Sequence, residues 1–219
     1  MSDALVLHTY WRSSAAYRVR IALHLKGLAF DSVPVHLVRD GGEQRAAAFA
    51  ARNPQKLVPT LQHGDAVLTQ SLAIIEYLEE VWPATPLLPR DALARQRARA
   101  LAQLVACDIH PLGNLRVLQF LEHDGALDQD ARQRWITRWL GDGLTAFEAL
   151  LEGWALPGDF CVGDMPTIAD CALVPQLYNA RRFGIDLAAC PRLRAIDAAC
   201  LALPAFDAAR PEMQPDAIP

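Results

Sequence analysis

The chain contains no run approaching the roughly 20 uninterrupted apolar residues that a membrane-spanning helix needs. Its opening, Met1 to Tyr10, lacks a basic segment followed by an apolar one. A membrane protein is therefore not expected, and cytoplasmic residence is. Positive charge is also scarce: 21 Lys and Arg against 25 Asp and Glu give a formal net charge of −4. That argues against a duplex nucleic-acid binder, while leaving local arginine clusters able to attract a small anion. The five cysteines, Cys107, Cys161, Cys171, Cys190 and Cys200, form no C-x-x-C and no finger-like Cys/His spacing. They read as reduced, mostly buried thiols, with no metal site implied. No internal repeat or low-complexity tract appears beyond an alanine bias.

What is present is a chain of 219 residues, 52% hydrophobic, enough for one large domain or two small ones with a real core. Ala4 to Tyr10 favours a strand. Tyr17 to Lys26 repeats apolar residues at near-helical period, and Gly27 supplies a stop. Phe30 to Leu37 alternates as a second strand, so the opening is a strand–helix–strand unit of the kind that builds a parallel pair. A short helix follows around Gln44 to Ala51. Val58 to Gln62 and Ala66 to Leu68 flank a turn at His63-Gly64-Asp65, a hairpin pattern. Ser71 can cap a helix running through Glu80.

Pro83, Pro86 and Pro89 mark a boundary, after which strand signals cease. Long helical patterns run from Asp91 to about Glu122, from Asp128 to Glu152, from Thr167 to Ala180 and from Pro191 to Leu201. Pro111 must kink or divide the first of them. The expected organisation is an α/β domain over residues 1–86 and an all-α domain over residues 91–219. The proline-rich end from Arg210 is expected to be an irregular tail.

Three segments carry candidate chemistry. Arg12-Ser13-Ser14 lies at a strand-to-helix junction, where unpaired N–H groups and the positive helix end favour an anion such as a thiolate; plain N-capping by either serine is the alternative. Val58-Pro59 lies in a strand-like run where proline cannot donate a ladder bond, and taken alone it is expected to be trans. Gln70-Ser71 opens a helix with a hydroxyl and an amide at its positive end, again with ordinary capping as the alternative. Thr167-Ile168-Ala169-Asp170 has the form of a capping box and is assigned to folding.

Together, R-S-S-x-x-Y-R-V-R-I-A-L from Arg12, N-P-Q-K-L-V-P-T-L from Asn53, Q-S-x-A-I-I-E-Y-L-E-E from Gln70 and C-D-I-H-P-L-x-N-L-R-V-L from Cys107 resemble the zeta class of glutathione transferases. That class includes maleylacetoacetate and maleylpyruvate isomerases, and the resemblance covers nearly the whole chain. It implies a thioredoxin-like domain followed by a helical bundle, glutathione as cofactor, a homodimer, and cis–trans isomerisation of a small dicarboxylic diketo acid. It further implies Ser13, with Ser14 behind it, beside the glutathione sulfur. A cis Pro59 would present the Val58 backbone to the cysteinyl part, Gln70 and Ser71 would hold the γ-glutamyl carboxylate, and Gln44 would reach the glycyl end.

Asp108, His110 and Asn114 match positions near glutathione or the subunit interface. Arg12, Arg116 and Arg181 are the candidate cations for substrate carboxylates, with His110 beside them or serving as an ordinary helix-end histidine. Ala15 stands where the class usually has cysteine, so the nucleophile must come from glutathione. Gly113 stands where a larger polar residue is common. A general glutathione transferase or dehalogenase acting on halogenated acids, and a noncatalytic glutathione-binding protein, are the competing functions.

Overall fold

A computed structural model describes residues 4–218 and groups them into two compact units. In the first, β1 (Leu5–Thr9) is the buried central strand. α1 (Ser14–Leu25) follows it and is closed by Gly27 at φ +66, whose N–H donates to the His24 carbonyl while Leu28 N–H reaches back to Leu23. β2 (Phe30–Pro34) pairs parallel with β1, and β3 (Thr60–His63) pairs antiparallel on the other side. β4 (Ala66–Thr69) completes the hairpin, with Gly64 at φ +57 in its turn, and gives the order β2-β1-β3-β4. α2 (Ala47–Arg52) is preceded by 3-10 turns at Arg39–Gly41 and Glu43–Arg45, and α3 (Ser71–Val81) packs beside α1. β2 stops at Pro34, short of the alternation that reaches Leu37, because the next backbone donor after Val35, His36 N–H, turns to the Glu43 carboxylate at 2.7 Å.

The second unit, Leu88–Leu201, carries α4 (Ala92–Gln103), α5 (Leu115–His123), α6 (Gln129–Trp154), α7 (Ile168–Arg182) and α8 (Pro191–Leu201). Between α4 and α5 the expected single helix divides into a π-helical segment, Leu104–Ile109, and a 3-10 turn, His110–Gly113. Pro111, which has no N–H to continue the ladder, sits in that turn. α7 is buried on nearly every face, from Ile168 to Leu177, and packs on α4 as the central helix of the unit. The capping box at its start is formed: Asp170, fully buried, accepts from Cys161 N–H (2.9 Å), Thr167 N–H (2.7 Å) and the Thr167 hydroxyl (2.9 Å). Burial pushes the Asp170 carboxyl above the usual carboxylate range, and these donors oppose that shift.

Two expectations about the end of the chain are corrected. Residues from Ala202 onward group with the first unit instead of extending the helical one to residue 219. The segment is also not an irregular tail: α9 (Pro204–Ala209) packs on α1 with Phe206 and Ala209 fully buried, a 3-10 turn follows at Pro211–Met213, and Gln214 bonds back to Ala208 and Arg210. One and a half helical turns are too short to show a period in sequence.

Candidate active site

The chain leaves the sheet after Thr9, and Ser13 enters α1 with an extended backbone (φ −70, ψ 114). Its Oγ accepts from Ala16 N–H at 3.2 Å, so Ser13 is a true N-cap. Capping uses an oxygen lone pair and leaves the O–H proton for a second partner, so the cap and a thiolate donor are compatible roles. Ser13 is half-buried, whereas Ser14 is buried in the first helical turn. Arg12, also half-buried, holds its guanidinium 4.6 Å from the centre of the Trp11 ring.

α3 begins differently. Its capping position is Gln70, not Ser71, and Gln70 has φ +67, a left-handed value uncommon outside glycine. The Gln70 side chain donates to Gln55 Oε1 at 2.8 Å and does not cap the helix, which has no side-chain cap among the described residues. Ser71 is the first helical residue, and its Oγ accepts from Arg18 Nη1 at 3.2 Å. Arg18 is only 2% exposed. A buried guanidinium against an uncapped eleven-residue helix presents two sources of positive potential at one point, a fit for a carboxylate.

The Val58–Pro59 bond is cis, against the expectation for the dipeptide taken alone. Val58 precedes the paired residues of β3, so its backbone groups lie outside the ladder, and it packs in one apolar cluster with Tyr10, Trp11, Val35 and Phe49. Gln44 is buried. Its amide donates to the Leu37 carbonyl at 3.2 Å, while its Oε1 has no partner among the described residues.

In the second unit, His110 and Asn114 meet, Asn114 Nδ2 lying 3.4 Å from His110 Nε2. His110 borders a small cavity with Ile109, Gly113, Trp139, Gln176, Asn179 and Phe183, and the buried Gln176 Oε1 has no partner among the described residues. A Cβ built on Gly113 would meet nothing within 4 Å, so the missing side chain leaves open space. Asp108 is exposed on the π-helical segment, and Arg116 is exposed in the first turn of α5; neither lines the cavity. Arg181 is ion-paired with Asp197 on α8. The next residue, Arg182, lies 4.8 Å from the centre of the Phe183 ring, and Phe183 is part of the lining.

Residues 12–81 match the family model described as glutathione S-transferase, N-terminal domain, and residues 120–196 match glutathione S-transferase, C-terminal domain. The maleylacetoacetate isomerase of Pseudomonas aeruginosa is 52% identical over 213 residues, 96% of this chain and 97% of that protein. The holo structure of a maleyl pyruvate isomerase, described as a bacterial zeta-class glutathione transferase, superposes with a TM-score of 0.94 at 49% identity, covering 97% of this chain and 100% of the other. The chain belongs to the zeta class of the glutathione S-transferase family. A maleylacetoacetate isomerase from Methylobacterium extorquens AM1, solved with bound malonate and GSH, superposes with a TM-score of 0.93 at 44% identity over 98% of this chain and 100% of that one.

Two arginines of this zeta-class chain escaped sequence reasoning. Arg18 was passed over because arginine is taken as a surface residue by type. Its signal was position: it stands among Tyr17, Val19 and Ile21, all buried, with no polar face to share. Arg182, next to the candidate Arg181, was not weighed, since adjacent helical residues point about 100° apart and sequence does not fix their directions.

Proposed function

We propose that the chain is a glutathione-dependent cis–trans isomerase that converts maleylacetoacetate or maleylpyruvate to its fumaryl isomer in aromatic-compound or tyrosine catabolism, as a cytoplasmic homodimer. The observation that carries this reading is the pair of helix starts in the first unit. α1 offers a neutral hydroxyl with a proton to donate, and α3 offers uncapped N–H groups backed by buried Arg18. Relatives of the same family, at about half identity over nearly the full chain, bear isomerase names, and one was solved with a dicarboxylate and GSH together.

Bound glutathione supplies a thiolate that adds to the cis double bond, so that the bond can rotate before the sulfur leaves. Ser13 donates its hydroxyl proton to that sulfur, and the positive end of α1 adds to the stabilisation, lowering a thiol pKa that is ordinarily about 8.5. The α3 start, with Ser71 fixed by Arg18 and Gln70 beside it, takes the γ-glutamyl carboxylate. The unladdered Val58 backbone pairs with the cysteinyl part, and the unpartnered Gln44 Oε1 accepts from the glycyl amide. Ala15 contributes no thiol. From the second unit, Asp108 and Asn114 are assigned to glutathione, and His110, held by Asn114, to the substrate. Arg12, Arg116, Arg181 and its neighbour Arg182 answer the substrate carboxylates and the negative charge that develops on addition. Arg182 joins Arg181 because its guanidinium lies over Phe183, a residue of the cavity lining.

The test is the ultraviolet change of maleylpyruvate and of maleylacetoacetate with purified protein, with and without glutathione. Conversion to the fumaryl isomer that requires glutathione is expected. No conversion of either compound would turn the assignment to a conjugating transferase or a noncatalytic glutathione-binding protein.

A further inference from the structure

The turn that carries Ser13 is held from outside the sheet. After Thr9 the backbone has no ladder partner, and buried peptide groups there must find others. Arg20, on α1 and completely buried, supplies them. Its Nη1 donates to Thr9 Oγ1 at 3.0 Å and to the Tyr10 carbonyl at 3.4 Å, and its Nη2 donates to the Trp11 carbonyl at 3.0 Å. Its Nε donates to the carbonyl of Ala209, the last residue of α9, at 3.0 Å. The other side of the Trp11 residue is held by the end of the chain: Trp11 N–H donates to Asp216 Oδ2 at 3.0 Å. Ala217 packs against the apolar cluster that contains Tyr10 and Trp11. Both backbone polar groups of Trp11, two residues before Ser13, are thus engaged by groups that belong neither to the strand nor to the turn.

We propose that Asp216 and Arg20 are positioning residues for the Ser13 hydroxyl, and that the C-terminal segment acts through them as a brace that sets the turn for thiolate stabilisation. The proposal rests on the role given to Ser13 above. Burial lowers the Arg20 pKa to about 10, with Tyr17 and Asp216 opposing, so the group remains a cation at neutral pH and keeps all its donors. A small displacement of the turn would move the hydroxyl relative to the bound sulfur, and errors near 1 Å at a reacting group cost up to about a hundredfold in rate.

The experiment uses the full chain with Asp216→Ala and Asp216→Asn, because removing buried Arg20 endangers folding itself. In Asp216→Ala, kcat is expected to fall about tenfold, the loss of one acceptor for a buried N–H, with the KM for glutathione within about twofold of the unmodified protein. The thiolate absorbance of bound glutathione should appear at higher pH in this variant, since a misplaced donor stabilises the thiolate less. Asp216→Asn, which keeps an acceptor oxygen, should recover most of the rate and the original titration. A purely structural role would lower the melting temperature and leave the thiolate titration where it was. Unchanged kcat and titration in a folded Asp216→Ala protein would overturn the proposal alone. Absence of any glutathione-dependent turnover or thiolate in the unmodified protein would overturn the functional reading beneath it as well.

Discussion

The helix starts of the two units are finished in opposite ways. In the second unit carboxylates close most of them: Asp91 accepts from Ala94 N–H at α4, Asp128 from Ala131 N–H at α6, Asp170 from Thr167 at α7, and both oxygens of buried Glu148 take the Arg192 and Leu193 N–H groups at α8. In the first unit α1 has only the neutral Ser13, and α3 has no side-chain cap. A carboxylate at a helix start neutralises the positive end and stabilises the fold. A start left neutral keeps its potential for an anion that arrives from outside. The difference teaches that the helical unit invests carboxylates in its helix ends, whereas the sheet unit leaves the starts of α1 and α3 without one, as their proposed role in binding glutathione requires.

The comparison can be broken from either side. The largest effect is expected for Asp170→Ala, which strands buried N–H groups of Cys161 and Thr167. At about 1–3 kcal/mol for each unsatisfied donor, the protein should lose roughly 4 kcal/mol in denaturant unfolding. A loss below 1 kcal/mol would show that the α7 start is not a stability device.

Next comes Ser13→Ala, expected to lower turnover about a hundredfold, as loss of a preorganised donor does. Its stability cost is about 1 kcal/mol for the lost cap, and glutathione affinity by calorimetry should change little. Near-normal turnover would reduce Ser13 to an ordinary cap and remove α1 from the contrast.

The smallest is Ser71→Asp, which places a carboxylate at the first helical residue of α3, so that this start, like most of those in the second unit, carries a negative charge. The new carboxylate would sit at the α3 start beside Arg18, and glutathione should bind about tenfold more weakly for that competing charge, while unfolding shifts by at most about 0.5–1 kcal/mol. Unaltered glutathione affinity would mean that the γ-glutamyl carboxylate binds elsewhere.

Much of this contrast was legible in the sequence. The strand–helix–strand opening, the hairpin, the Gly27 stop and the Thr167–Asp170 box all rest on contacts within a few residues, which local pattern captures. The cap at Ser13 was legible for the same reason. What was not legible depends on distant partners: Arg18 finds Ser71 across 53 positions, and Arg20 finds Ala209 across 189. Gln70 was not foreseen as the capping position because its left-handed backbone is uncommon outside glycine. The directions in which Arg181 and Arg182 point are likewise supplied only by the packed helix.

The return of residues 202 onward to the first unit makes that unit discontinuous in the chain, with the whole helical unit inserted between its parts. During synthesis the sheet emerges before the helical unit, yet the carbonyl that receives Arg20 Nε lies at Ala209 and the acceptor of Trp11 N–H at Asp216, both beyond the helical unit in the chain. The helical unit has all of its own sequence available earlier and can complete its core while Arg20 still lacks its final partner. The order of birth is therefore not the order of completion: the sheet is translated before the helical unit and finished after it.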